Sequence, residues 1–187
     1  MQARGKSSPP AQKRVKKGLI IVNTGDGKGK TTAALGVALR AVGQNYKVTV
    51  VQFIKGVWRP GEVRVAERLG PNFEITPMGL GFTWLSKDLN LDKKKAQEGW
   101  KLAKEKIQSG KYDIVILDEI TYAINDKFIE LEDVLETLRS RREMQHVIIT
   151  GRNAPKEIVE MADLVTEMRL VKHPYKSGIM AQRGIEY

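Results

Sequence analysis

The stretch Thr24-Gly25-Asp26-Gly27-Lys28-Gly29-Lys30-Thr31-Thr32 follows the apolar run Leu19-Ile20-Ile21-Val22. The segment after it, Lys30 to Val42, is rich in helix formers. Glycines at 25, 27 and 29 let successive backbone N–H groups turn towards one point, and a helix N-terminus adds its dipole. Such a loop holds an anion. Lys30 supplies a point charge for phosphate, Lys28 a second, and Thr31 a hydroxyl suited to Mg²⁺. The common pattern is G-x-x-x-x-G-K-[ST]. Gly29-Lys30-Thr31 fits it, whereas Thr24 stands in the place of the first glycine. The bland alternative is a glycine-rich turn that binds nothing. A strand directly before the loop and a helix directly after it favour phosphate.

A second candidate lies further on, where the run Tyr112 to Leu117 ends in Asp118-Glu119. Carboxylates at the C-terminal end of a central strand sit where α/β sheets bind ligands. Beside a phosphate loop, such an acid holds Mg²⁺ directly or through water, and Glu119 is the expected closer ligand. The alternative is a solvated helix N-terminus, where acidic residues are electrostatically favoured. The chain has no cysteine and only two histidines, His146 and His173. Disulfides, thiolate nucleophiles, Fe–S ligation and cysteine zinc sites are thereby excluded. His173, in Lys172-His173-Pro174-Tyr175, reads as a hydrogen-bonding loop residue.

These groups need a scaffold. Residues 19–24, 47–54, 112–118, 146–151 and 164–171 are rich in Val, Ile and Thr and read as strands, with 73–76 a weaker sixth. Most are near-continuous apolar runs, the pattern of strands buried on both faces of a parallel sheet. Helices fall between them. Leu131, Val134, Leu135 and Leu138 have helical spacing, as do Ala96, Trp100, Ala103 and Ile107. Ala154-Pro155-Lys156-Glu157 reads as a helix start. The alternation predicts α/β architecture: a single-domain open, mainly parallel sheet with helices on both faces, in a P-loop NTPase (RecA-like) fold. That domain covers 18–187, behind a basic and mobile tail at 1–17.

Of the 187 residues, 41% are hydrophobic and 29% charged, the balance of a soluble globular protein. Neither a bilayer-spanning run nor a secretory signal is evident, so no membrane partner is expected and the cytoplasm is the default location. The net charge of +10 is uneven: residues 1–17 contribute +6 with no acidic residue, and the body only +4. The tail reads as a solubilising arm, a strand folding over an anionic ligand, or a weak nucleic-acid contact. Without a basic stripe interleaved with aromatics in the body, nucleic acid is not an expected partner. A RecA-like nucleic-acid-binding ATPase and a small-molecule kinase are the alternatives to be weighed.

The blocks TGDGKGKTTAALG, ALRAVG, VVQFIKG, GLGFTW, LDEITYAI and the C-terminal stretch from GRNAP to Tyr187 resemble, in order and spacing, the P-loop type of ATP:corrinoid adenosyltransferase. The resemblance implies transfer of the 5′-deoxyadenosyl group of ATP to the Co(I) of a corrinoid, in adenosylcobalamin biosynthesis or salvage, with release of triphosphate. It implies that Thr24, Gly25, Asp26, Gly27, Lys28, Gly29, Lys30, Thr31, Thr32 and Arg40 bind the nucleotide. Thr31, Asp118 and Glu119 would hold Mg²⁺ (or Mn²⁺). Phe82 and Trp84 would pack below the corrin ring and displace its lower axial ligand, joining Lys28 and Lys30 as catalytic residues. The segment after Trp84, LSKDLNLD, is less like the family than Phe82-Thr83-Trp84 is. A homodimer is implied too, as is a separate reduced flavin or flavoprotein as electron donor.

Overall fold

In the computed structural model, the described residues are 15–56, 60–79, 81 and 88–186. In chain order the elements are β1 Ile20–Thr24, α1 Lys30–Val42, β2 Val48–Gln52, α2 Gly61–Leu69, β3 Phe73–Pro77 and α3 Leu89–Gln108. There follow β4 Ile114–Asp118, α4 Ile120–Asn125, α5 Leu131–Arg139, β5 His146–Thr150, α6 Lys156–Met161 and β6 Leu164–Glu167. Each anticipated strand is present, including the weak sixth at β3. Two helices, α2 and α4, were not legible as such in the sequence.

The strands form one parallel sheet in the order β3-β2-β4-β5-β1-β6. This order decides where the chemistry sits. The strand leading into the glycine loop, β1, is separated from the strand ending in Asp118, β4, by β5 alone. Because every strand runs the same way, Thr24, Thr150, Asp118 and Gln52 emerge along one edge of the sheet.

Alternate residues of each strand enter opposite layers. One layer takes Val22, Val115, Leu117 and Ile149 against Trp100, Ala103 and Ile107 of α3, with Val134 and Leu138 of α5. The other takes Val50, Ile116 and Ile148 against Ala34, Ala38 and Ala41 of α1. Alanines on that face of α1 let its backbone approach the sheet closely, so its first turn is fixed against the strand ends. All five residues of β4 are buried. At about 1.5–3 kcal/mol for each large apolar side chain, that strand anchors the sheet.

Some boundaries differ from the sequence reading. The expected strand 164–171 stops at Glu167, because β6 is an exposed edge strand and the chain then turns over the glycine loop. There the Met168 N–H donates to the Thr24 carbonyl at 2.7 Å, and the Gly27 N–H donates to the Met168 carbonyl at 2.6 Å. Proline 155 caps α6 from outside it. At the front of the domain, the Gly18 N–H donates to the Glu143 carbonyl at 2.7 Å, and Lys17 pairs with Asp163. Residues 1–14 of the anticipated tail lie outside the described residues.

Candidate active site

The glycine loop is held shut by its own lysine. Lys30 Nζ donates to the carbonyl oxygens of Gly25 and Gly27, both at 2.7 Å. Gly25 and Gly29 have φ of 91° and 109°, which a side-chain-bearing residue rarely adopts. At Gly25 a Cβ would also meet the Met168 carbonyl oxygen at 2.6 Å. Thr24 Oγ1 accepts the Ala154 N–H at 3.2 Å. A glycine at 24 could not do this, so the departure from the common pattern ties the loop to the β5–α6 connection. Burial, and after it the charge of Arg152, hold the Lys30 ammonium below the ordinary lysine pKa.

Asp118 is fully buried and its carboxylate is the hub of the site. Oδ1 accepts the hydroxyls of Thr31 and Thr150, each at 2.7 Å. Oδ2 accepts Gln52 Nε2 at 3.2 Å and has Lys55 Nζ 3.9 Å away. Gln52 Nε2 reaches Glu62 Oε1 at 3.2 Å, and Lys55 donates to the same oxygen at 3.0 Å. Burial opposes the Lys55 charge, but Asp118 and Glu62 outweigh it and raise the lysine pKa.

Glu119 follows with φ 65°, a left-handed conformation uncommon outside glycine. Its N–H donates to Thr150 Oγ1 at 2.9 Å. Burial, then the neighbouring Asp118, push its carboxyl up to about 7. Among the described residues no group of three His, Cys, Asp or Glu side chains could by itself hold a metal ion. What the site offers is two adjacent carboxylates, one of them disfavoured as an anion, and the Thr31 hydroxyl. That donor set suits Mg²⁺, a hard cation that takes oxygen ligands and keeps several from water or phosphate.

The site therefore joins Thr24, Gly25, Gly27, Gly29, Lys30, Thr31, Asp118 and Glu119. Lys28 and Asp26 are at its rim: Lys28 pairs with Glu186, and Asp26 Oδ1 is 3.7 Å from Arg152 Nε. Thr32 is exposed on the first turn of α1. Arg40 is not brought to the loop. It is exposed in the last turn of α1, about 15 Å along the axis from Lys30 at 1.5 Å per residue. Phe82 and Trp84 lie outside the described residues. Gly79 and Gly81 nearby are stitched to the segment just past β2, with the Gly79 N–H on the Lys55 carbonyl at 3.1 Å and the Gly81 N–H on the Ile54 carbonyl at 2.9 Å. His173 Nδ1 accepts the Tyr175 N–H at 3.1 Å, the loop role expected of it.

Sequence reasoning missed Gln52, Lys55, Glu62, Thr150 and Arg152. A signal existed for two of them: Gln52 is a polar residue inside the apolar run VTVVQFI, and Thr150 ends the run HVIIT at the sheet edge that binds ligands.

The parallel sheet, the loop between β1 and α1, and the acid at the end of β4 together define a P-loop protein of the α/β class. The same fold is seen in the flagellar accessory protein FlaH from Methanocaldococcus jannaschii, at TM-score 0.55 and 15% identity over 82% of this chain and 72% of that one. Residues 16–187 match the family ATP:corrinoid adenosyltransferase BtuR/CobO/CobP, and this chain belongs to it. It is 46% identical to the corrinoid adenosyltransferase of Escherichia coli K12, over 95% of this chain and 89% of that protein. Against the corrinoid adenosyltransferase CobA of Salmonella typhimurium it is 44% identical, over 95% and 89% of the two chains.

Proposed function

We propose that this protein transfers the 5′-deoxyadenosyl group of ATP to the Co(I) of a corrinoid and releases triphosphate. The observation that carries this reading is the family match over residues 16–187, which spans both the phosphate loop and the Asp118-Glu119 pair. In the reaction, the electron pair of Co(I) forms the bond to C5′, the C5′–O bond breaks, and its electrons leave on the triphosphate. The nucleophile carries no proton, so the protein needs no general base. Its work is to hold C5′ in line with cobalt and to accept the charge that builds on the leaving oxygen.

Lys28, Lys30 and the loop amides are the groups that take this charge. Lys30 now spends its protons on two loop carbonyls, and phosphate oxygens are stronger acceptors for them. Mg²⁺ (or Mn²⁺), held from Thr31, Asp118 and Glu119, would supply Lewis-acid neutralisation of the triphosphate. Asp118 has both oxygens engaged by protein donors, which supports Glu119 as the closer ligand. Arg40, too far along α1 for the phosphates, is left to the nucleoside end.

Phe82 and Trp84 are assigned to the lower face of the corrinoid. Removing the lower ligand makes Co(II) easier to reduce to Co(I), since that ligand stabilises Co(II). The anchoring of Gly79 and Gly81 to the segment just past β2, whose Lys55 lies 3.9 Å from Asp118, supports this assignment. A chain without cysteine has no dithiol of its own, which supports a separate reduced flavin or flavoprotein as donor. Homodimeric assembly and a cytoplasmic setting complete the reading.

The test is anaerobic incubation with Mg·ATP and chemically reduced cob(I)alamin. Adenosylcobalamin with one equivalent of triphosphate is expected. ADP and phosphate without a cobalt–carbon bond would overturn the reading.

A further inference from the structure

We infer that Arg152 is a further catalytic residue, whose guanidinium binds the triphosphate as it leaves. The inference rests on the adenosyl-transfer reading and deepens it. Arg152 stands just past the end of β5, the strand between the phosphate loop and Asp118. From there its side chain reaches the loop, with Nε 3.7 Å from Asp26 Oδ1.

The backbone beneath it is clamped. Thr121 Oγ1, fully buried on α4, donates to the Arg152 carbonyl at 2.7 Å. Asn125 Nδ2, on the same helix, reaches the Arg152 and Asn153 carbonyls at 3.5 and 3.1 Å. Gly151 has φ 141°, and a Cβ there would strike Thr121 Oγ1 at 1.9 Å. Asn153 is left-handed at φ 50°. Unusual backbone on either side of Arg152, at Gly151 and Asn153, fixed by one buried hydroxyl and one amide, sets the direction in which Arg152 departs from the sheet.

The charges around it call for an anion. Arg152 is close enough to Lys30 to disfavour the Lys30 ammonium, and its charge also acts on Glu119 and Tyr122. Two cations thus contact the same glycine loop, Lys30 through the Gly25 and Gly27 carbonyls and Arg152 through Asp26. The carboxylate nearest the guanidinium is Asp26, at ion-pair distance, with its side chain 70% exposed. Such an exposed pair contributes little to stability. A polyphosphate between Lys30 and Arg152 relieves their repulsion, and a guanidinium fork matches two phosphate oxygens at once. As the C5′–O bond breaks, negative charge moves onto the triphosphate, so a cation fixed there stabilises the transition state more than bound ATP.

The competing role is mechanical: Arg152 would only hold Asp26 aside and keep the loop in shape. Three variants separate the two, R152A, R152K and D26A, together with the R152A/D26A double variant. Each is assayed for adenosyl transfer to cob(I)alamin and, without any corrinoid, for binding of inorganic triphosphate by calorimetry. For R152A we expect kcat to fall on the order of 10²-fold, as when one donor to developing charge is removed. Triphosphate binding should weaken about tenfold. R152K should recover part of both, and removing Arg152 in the D26A background should weaken triphosphate binding further than D26A does by itself. The clamp on the backbone does not involve the Arg152 side chain, so R152A is expected to melt with the wild type. Unchanged triphosphate binding in R152A would overturn the inference. So would a double variant no worse than D26A, since Arg152 would then act only through Asp26. Wild-type protein that makes no adenosylcobalamin in the same assay would instead strike the underlying reading.

Discussion

Thr31 donates its hydroxyl to the same Asp118 oxygen that Thr150 uses, so the first turn of α1 is tied to β4 across the intervening strand. The other oxygen faces Gln52 and Lys55. Asp118→Asn keeps the shape but turns one acceptor into a donor. Facing Gln52 Nε2 and Lys55, the new amide leaves a buried donor without a partner. We expect a loss of about 1–3 kcal/mol in stability, read as a lower urea midpoint at unchanged slope, with weaker ATP binding. An unchanged midpoint would mean that Gln52 inverts its amide and the hub tolerates the loss.

Glu119 is disfavoured as an anion by its burial and by Asp118, and a divalent cation relieves that penalty. Glu119→Gln should therefore raise the Mg²⁺ concentration needed for half-maximal turnover by about tenfold or more. A titration of activity against Mg²⁺ at saturating ATP checks this. An unaltered midpoint would remove Glu119 from the cation site.

How much of this was legible beforehand follows from what is local. Gly25 to Thr31 is one contiguous segment whose residue types suffice to announce an anion site, and Ile114 to Leu117 announces a buried strand. The hub around Asp118 could not be read. Gln52 and Thr150 become its partners only because β2 and β5 flank β4, and strand order is a long-range property. Helix α4 was hidden because its six residues are too few to show a helical period and follow β4 almost at once. Only the left-handed turn at Glu119 separates them. Arg152 gave no signal, since one arginine in a loop reads as solvated until the sheet brings it to Asp26 of the glycine loop.

Lys28 is paired with Glu186 from the C-terminal stretch, which lies against the loop. Under the phosphate-binding role proposed for Lys28, a carboxylate on its ammonium competes with the nucleotide. Removing it by Glu186→Gln should tighten ATP binding, by at most about fivefold, since exposed pairs contribute up to about 1 kcal/mol. Calorimetry with Mg·ATP in the absence of corrinoid reads the change. Weaker binding in this variant would mean that Glu186 supports the closed loop and does not compete at it.

His146 opens β5 and accepts the Leu19 N–H on Nδ1 at 3.1 Å, which joins the start of β5 to that of β1. Burial, then Arg141, lower its pKa below the ordinary 6.5, and Asp113 opposes them only in part. The unfolded chain thus takes up a proton at higher pH than the folded one. It follows that the His146 contribution to stability is complete above the unfolded value of about 6.5 and is lost as pH falls from there through the folded pKa. Protonated Nδ1 can no longer accept the Leu19 N–H, which gives the loss its structural cause. His146→Asn keeps an acceptor at the Nδ1 position and cannot titrate. Urea midpoints measured from pH 7.5 to 5 should fall less steeply in the variant than in the wild type, and parallel curves would assign the acid sensitivity to other groups.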